Sequence, residues 1–363
     1  MTRLTDPPFR TMPHDPAAHS VATPAADRST NPLVVEVTRG GMVESRHRAA
    51  VAVVDPDGAV VRGWGDIDRP VYGRSAIKPL QALPLLETGA ADRFALSAAE
   101  IALACASHSC EPRHVAAVGA WLARIGLSAD DLECGSHLPS EDQAMKAVVR
   151  SGVPLTGLYN NCSGKHAGFL TTARHLGEPT RGYIRFEHPV QQRILGTLEQ
   201  VCGLDLGDAP RGIDGCGIPV IGIPLGNLAL GMARLADPDG LPPARAAAAR
   251  RILAAMCAEP FMVAGTGRFC TVLMEALGPK AAVKTGAEGV YCAALPELGL
   301  GVALKVDDGA GRAAEVAMGA VLVHLGVIGE AERGAIADKL QPPVLNRAGL
   351  ETGRIRPAAD SPF

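Results

Sequence analysis

The sequence predicts an α/β protein whose central sheet is built from both ends of the chain. Runs of β-type residues lie between residues 32 and 65 and again after residue 271. Between them, residues 90–260 show mostly helical spacing of apolar residues. Because each β-rich end needs a partner to cover its apolar face, we expect both ends to share one sheet. The predicted division is a sheet region at 32–95 and 265–357 and a mostly helical region at 96–264, within one structural unit.

The first part of the chain is predicted to be an extension, a hairpin and a helix. Residues 1–31 carry five prolines and little apolar content, so we expect a disordered extension. Three β-type runs follow, and an Asp-Gly turn at residues 55–58 predicts that the last two form a hairpin. These runs are 33–38, 49–54 and 59–64. A helical pattern then covers 75–89, where Pro79 suits a first turn and Pro84 is expected to kink or end the helix.

The middle of the chain is predicted to be helical and the last third to return to strands. Ser97 and Glu100 have the spacing of a helix capping box. Further helices are expected at 114–125, 189–201 and 243–256. Strands are then predicted at 271–274, 281–284, 289–293 and 301–306, followed by an apolar helix at 313–327.

Composition excludes several classes of function. The chain has 363 residues, 47% of them apolar and 20% charged, with a formal net charge of -3. This balance favours neither nucleic-acid nor membrane-surface binding. No apolar run approaches the roughly 20 residues that span a bilayer, and no export signal precedes the folded part, so a cytoplasmic location is expected. The nine cysteines are then better explained as thiols or ligands than as disulfides.

The main chemical motif is Ser75 followed three residues later by Lys78. On a helix these two side chains lie on one face, with Cβ atoms roughly 5–6 Å apart. The tripeptide Lys284-Thr285-Gly286 comes about two hundred residues later. Together the two motifs predict a serine nucleophile activated by a lysine amine, and therefore hydrolysis of an amide, a lactam or an ester. Lysine can act as the base only if burial or a nearby cation lowers its pKa.

Other polar segments leave alternatives open. Residues 107–111 offer a second hydroxyl, Ser107, or a plain helix end with turn-forming serines. Cys162 and His166, at i and i+4, could bind one metal together with Cys216, although buried single cysteines are more often inert. Residues 265–268 either offer an arginine to a substrate carboxylate or form a turn before the next element.

Several segments, taken together and in order, resemble the L-asparaginase II family, the Rhizobium-type asparaginases. The resemblance covers about residues 32–357, and only the joint occurrence of the motifs is specific. The segments are Arg74 to Pro79, Ala106 to His108, Cys134 to His137, Asn160 to Gly168, Gly212 to Pro219, Met262 to Arg268 and Val283 to Gly289.

The resemblance implies a serine-β-lactamase-like fold and hydrolysis of L-asparagine to L-aspartate and ammonia. It implies two serine–lysine pairs, Ser75 with Lys78 and Ser107 with Lys284. It implies a zinc site, with Lys165 in place of His166 as a ligand, and a homodimer. The implied zinc ligands are Cys162, Lys165 and Cys216, and the implied substrate contacts are Arg74, Asn161, Asp214 and Gly286.

Two rival functions remain open. The first is a glutaminase or another Ser-x-x-Lys amidase or β-lactamase-like acylase, which shares the first motif. The second is a non-catalytic, zinc-dependent amino-acid-binding module, which has no need of a nucleophile.

Overall fold

The computed structural model describes residues 30–363, so the predicted extension lies almost entirely outside the described residues. Asn31, at its end, is buried, and its side chain donates to Asp307 at 2.6 Å. The described strands are β1 Leu33–Arg39, β2 Met42–Val54, β3 Val60–Trp64, β4 Pro70–Tyr72, β5 Arg211–Ile213, β6 Pro219–Pro224, β7 Ala282–Thr285, β8 Val290–Leu295, β9 Leu300–Val306, β10 Pro343–Leu345 and β11 Glu351–Pro357.

The main sheet joins both ends of the chain. Its strands follow the order β10-β11-β1-β2-β9-β8-β7, and every neighbouring pair is antiparallel. The strand β3 pairs with the second half of β2, which confirms the predicted hairpin. In its turn, the Asp55 carboxylate accepts the backbone N–H groups of Asp57 and Ala59. The predicted α/β class, with a sheet built from both ends, is therefore confirmed.

Helices fill the middle of the chain and cover the sheet. The α-helices are α1 Lys78–Gln81, α2 Leu83–Glu87, α3 Ala90–Arg93, α4 Ala98–Ala104, α5 Pro112–Arg124, α6 Asp142–Ser151, α7 Ser163–Leu176, α8 Pro189–Cys202, α9 Leu225–Ala236, α10 Pro243–Ala258, α11 Pro260–Ala264, α12 Phe269–Leu277, α13 Gly311–His324, α14 Glu330–Ala335 and α15 Ala337–Leu340. Short 3-10 turns lie at Arg74–Ile77, Ala129–Asp131, Gly157–Tyr159 and Gly278–Lys280. Among residues 30–363, no helix combines the length and apolar character needed to cross a membrane.

The sheet is buried on both faces. Helix α9 packs against β2, β8 and β9, and α13 packs against β1, β8, β9 and β11. All six residues of β8 are buried, so the two helices cover opposite faces. Gly301 permits the close approach of α9, because a Cβ atom there would lie 2.0 Å from the Ala229 carbonyl oxygen. An α/β part and a helical part are also what the implied serine-β-lactamase-like fold requires.

Two local predictions need correction. Residues 271–274, predicted as a strand, belong to helix α12. A short apolar run can be buried in either element, and here Thr271, Leu273 and Met274 are all buried in the helix. The sequence also gave no sign of the three-stranded sheet β4-β6-β5, whose strands β5 and β6 lie within the region predicted to be helical. Strands as short as β4 and β5 show too few residues for an alternating pattern.

Candidate active site

Ser75 lies in a tight turn at the start of a helix. The 3-10 turn Arg74–Ile77 leads directly into α1, and Arg74 has a positive φ of 48°, which is uncommon for a residue other than glycine. Gly286, after β7, packs against this turn, because a Cβ atom there would lie 3.0 Å from the Gly73 carbonyl oxygen. Ser75 is partly buried, and its hydroxyl forms no hydrogen bond with any residue in 30–363. The hydroxyl is therefore available to a ligand.

Two lysine amines meet at the hydroxyl of Ser107. Lys78 Nζ lies 2.9 Å from Ser107 Oγ, and Lys284 Nζ lies 2.8 Å from the same oxygen. Backbone carbonyls hold both amines: Lys78 donates to Ala106, and Lys284 donates to Thr285 at 2.7 Å. Lys78 is 0% exposed, Lys284 1% and Ser107 6%. The result is a buried chain of hydrogen bonds, Lys78–Ser107–Lys284.

Burial makes one of these lysines a base. Burial, assisted by the charge of Lys78, lowers the pKa of Lys284 from 10.5 to about 7. Burial also lowers the pKa of Lys78. Lys284 is therefore partly neutral near pH 7 and can accept a proton from the Ser107 hydroxyl.

Cys162, Lys165 and Cys216 form a second cluster beside the chain. Lys165 Nζ lies 3.0 Å from Cys216 Sγ, and Cys162 Sγ lies 3.1 Å from Lys78 Nζ. A hydrogen bond between the two thiol groups, together with the lysine charges, lowers the pKa of Cys162 well below its usual value. The same hydrogen bond and burial raise the pKa of Cys216. The two sulfurs therefore titrate as a pair, in which Cys162 loses its proton more readily than Cys216.

This cluster fits a metal ion of the zinc type in its donor chemistry. Two sulfur atoms and one amine nitrogen converge, and all three side chains are at least 95% buried. Lys165 would have to lose its proton to coordinate a metal. Among residues 30–363, no group of three or more His, Cys, Asp and Glu side chains could hold a metal, so His166 does not complete the set with the two cysteines. His166 is instead hydrogen-bonded through Nδ1 to the Tyr183 hydroxyl at 2.8 Å.

An ion pair borders the Ser75 turn. Arg74 Nη2 lies 2.8 Å from Asp214 Oδ1, and Arg74 Nε donates to the same oxygen at 2.9 Å. Burial opposes the charge of Asp214, but Lys165 and Arg74 outweigh it and lower the pKa of its carboxyl group. The negative charge of Asp214 therefore interacts with both sites, through Arg74 in the Ser75 turn and through Lys165 in the cysteine cluster.

The comparison with protein families decides the classification. The family model for L-asparaginase II matches residues 35–357, which is most of the chain. The chain belongs to the L-asparaginase II family. Membership of the L-asparaginase II family supports an amidohydrolase that acts on a small-molecule substrate. A search of curated proteins found no match.

Two solved structures are similar at low identity. A β-lactamase from Mycobacterium bovis is 16% identical, with 76% of this chain and 94% of that chain covered and a TM-score of 0.39. A protein from Bacteroides dorei assigned as a β-lactamase is 14% identical, with 77% and 86% covered and the same TM-score of 0.39. Similarity at this level adds nothing to the classification, which depends on the match to the L-asparaginase II family.

The structure brings together most residues that the resemblance to the L-asparaginase II family implied. Ser107 and Lys284 are in contact, and so are the members of the cysteine cluster. Ser75 and Lys78 are neighbours on the same turn, but Lys78 donates to Ser107 rather than to Ser75. Gly286 borders the turn, where it allows close packing.

Asn161 lies beside the cysteine cluster of this asparaginase-family chain. Its side-chain amide is 3.2 Å from Cys162 Sγ, and its backbone N–H donates to His137 Nε2 at 2.9 Å. Reasoning from the sequence missed the part played by His137, although it lies in a segment quoted for the resemblance. Residues 265–268 form a turn before α12. Thr266 stabilises this turn, because its backbone N–H and its hydroxyl each donate to one oxygen of the Glu111 carboxylate.

Proposed function

We propose that this protein hydrolyses L-asparagine to L-aspartate and ammonia through an acyl-enzyme on Ser75. The observation that supports this proposal most directly is the buried Lys78–Ser107–Lys284 chain next to a serine whose hydroxyl has no partner within residues 30–363. Ser107 is buried and already hydrogen-bonded to two lysines, which suits a proton relay, whereas the partly exposed Ser75 suits attack on a substrate. Hydrogen bonds between nucleophile and base often tighten only when substrate binds.

In the first half of the reaction, Ser75 Oγ attacks the side-chain amide carbon and forms a C–O bond. Its proton passes to Lys78, then through Ser107 to the neutral amine of Lys284. Negative charge develops on the amide oxygen. The backbone N–H of Ser75, at the start of the turn, has no acceptor among the described residues and is available to stabilise that charge.

In the second half, the C–N bond breaks and the relay returns the proton to the leaving nitrogen. Ammonia departs and an ester between aspartate and Ser75 remains. A water molecule then attacks this ester and loses a proton to the same relay. The C–O bond to Ser75 breaks, and its oxygen regains a proton, so the enzyme returns to its starting state.

The Arg74–Asp214 pair suits the charged end of an amino acid. The guanidinium offers further N–H donors to an α-carboxylate, since only Nε and one Nη bond Asp214. The Asp214 carboxylate can accept an α-ammonium group. This pairing favours a free amino acid over an uncharged amide. We propose Asn161 and Gly286 as further substrate contacts on the basis of the resemblance.

We also propose that Cys162, Lys165 and Cys216 hold a zinc ion. When bound, zinc would supply a positive charge that orients a substrate group or tunes nearby pKa values. Metal analysis of protein purified without chelators tests this, with Cys216→Ser as the variant and Cys257→Ser, a distant thiol, as the control. Equal zinc content in all three proteins would reject the ligand assignment. Ser75→Ala should bind as much zinc as the wild-type protein although it is inactive, so zinc content can be measured independently of activity.

The decisive experiment for the function is a substrate panel monitored by ammonia release. L-Asparagine, L-glutamine and a lactam are compared at equal concentration. We expect asparagine to be hydrolysed fastest, and Ser75→Ala to lose activity while retaining its circular dichroism. Ser109→Ala is the control for loss of a serine hydroxyl, because Ser109 is buried and bonds Ala264 rather than a lysine.

Other outcomes favour the rivals. Preference for glutamine or the lactam would favour the related acylases, and binding of asparagine without turnover would favour the zinc-dependent binding module. The resemblance also supports a homodimer, which sedimentation velocity tests. We further propose a cytoplasmic location, which cell fractionation tests.

A further inference from the structure

A buried amide without a partner lies at the junction of two small cavities. Gln81 ends helix α1, three residues after Lys78, and is 7% exposed. Its carbonyl oxygen is buried and has no hydrogen-bond partner, and its side-chain amide nitrogen forms no hydrogen bond with any residue in 30–363 either. Leaving such a group unpaired costs about 1–3 kcal/mol, so native proteins usually satisfy it.

Gln81 lines both cavities. The first lies between α1, α7 and α8, and its polar lining includes Lys165 and Thr172. The second lies towards the Ser75 turn, and its polar lining includes Arg74, Asp214 and Gln191. Each leaves about 10 Å³ of room for a water-sized molecule, which is close to the minimum needed to hold one.

We propose that the Gln81 amide binds one small hydrogen-bond donor with a single heavy atom, either water or ammonia. Several polar side chains around each cavity can supply the two to four partners that such a molecule needs. An amino acid is too large for this space. The cavity that borders Arg74 and Asp214 therefore admits only the smallest participants in an amide hydrolysis.

The site has a use in the proposed reaction. Water must reach the ester on Ser75, and ammonia must leave, while the rest of the substrate still fills the front of the site. The cavity lined by Gln81, Arg74 and Asp214 can hold one molecule of this size next to the Arg74–Asp214 pair. Binding at Gln81 rests on geometry alone, whereas its use by ammonia rests on the proposed function.

A crystal structure of the whole chain at a resolution that reveals ordered water tests the binding. We expect one density peak about 2.7–3.2 Å from a side-chain amide atom of Gln81. The peak should be lost in Gln81→Met and kept in Gln191→Met. Gln191 is the matched control, because it is equally buried and lines the second cavity, but its amide already donates to Tyr183 at 2.9 Å. Absence of the peak in the wild-type protein would overturn the proposal.

Thermal unfolding gives a second, independent readout. If a small molecule satisfies the amide, Gln81→Met should change the melting temperature little. A clear rise would mean that the amide was unsatisfied in the wild-type protein and would also overturn the proposal. Neither readout depends on catalytic activity, so failure of the proposed function leaves both intact.

Kinetics separate the two occupants. Asparagine hydrolysis is followed in ammonium chloride at alkaline pH, where part of the ammonium is neutral ammonia, and in equal sodium chloride. Slowing by ammonium chloride in the wild-type protein but not in Gln81→Met would support ammonia as an occupant. An equal response in both proteins, with the density peak present, would assign the site to water.

Discussion

The neutral amine of Lys284 predicts a specific dependence of activity on pH. With a pKa of about 7, the amine is about one-tenth neutral at pH 6, half neutral at pH 7 and nine-tenths neutral at pH 8. If Lys284 accepts the proton that Ser75 releases, kcat/KM should rise about fivefold from pH 6 to pH 7 and less than twofold from pH 7 to pH 8.

Ammonia release from L-asparagine at low substrate concentration, measured between pH 5.5 and pH 9, gives this profile. A solvated lysine with a pKa near 10.4 would be only about 0.04% neutral at pH 7, so its rate would still rise tenfold per pH unit at pH 8. A profile that is flat, or that rises without a plateau, would refute the role of Lys284. Lys284→Met should remove the activity. Lys280 is a partly exposed lysine paired with Glu332, and Lys280→Met should retain both the activity and the profile.

Four further outcomes are expected. Ser107→Ala should lower kcat by about 100-fold to 10,000-fold, measured by ammonia release, because the relay is broken, while circular dichroism shows that the protein stays folded. Gly286→Ala should lower kcat, because its Cβ would lie 3.0 Å from the Gly73 carbonyl oxygen and displace the Ser75 turn. Its loss of stability should be smaller than that of Gly301→Ala. Gly301→Ala should prevent accumulation of folded protein, seen by size-exclusion chromatography, since its Cβ would meet the Ala229 carbonyl oxygen at 2.0 Å. Lys284→Met should raise the melting temperature at pH 6 more than at pH 9, by calorimetry.

Elements could be predicted from the sequence where capping residues, turn residues and the apolar pattern all indicated the same structure. Ser97 and Glu100 form the expected reciprocal cap, with hydrogen bonds of 2.9 and 3.3 Å. The alternating run after the Asp-Gly turn paired as expected. The helix predicted at 75–89 contains two prolines, and the chain resolves it into the 3-10 turn, α1 and α2, with Pro84 in the first turn of α2. Where one run suits two elements, as at 271–274, only tertiary packing decides.

The residues of the site could be predicted from the sequence, but the contacts among them could not. Spacing placed Lys78 with Ser75, because residues three apart share a helix face. It could not show that Lys78 turns to Ser107, which comes from a separate segment after α4 and meets Lys284 from β7. Such contacts depend on how the helical region docks on the sheet. The family resemblance supplied the pairing of Ser107 with Lys284, which no local pattern contains.

The energetic cost of these lysines argues for a role in chemistry rather than in folding. Lys78 and Lys284 are at most 1% exposed, and burial lowers the pKa of both amines. They are two of only seven lysines in the chain. Burying an amine favours its neutral form, so the folded protein binds fewer protons at Lys284 than the unfolded chain does. Below about pH 7 the amine is charged in both states, and the burial penalty applies in full. It declines as the pH rises from about 7 towards 10.5, the two pKa values of Lys284. A methionine would avoid this penalty and has a similar length. Replacing a buried ion pair by apolar residues of similar volume is often neutral or stabilising by about 1–4 kcal/mol, and we expect the same sign for this single buried amine. A loss of stability in Lys284→Met at pH 6 would therefore contradict this account.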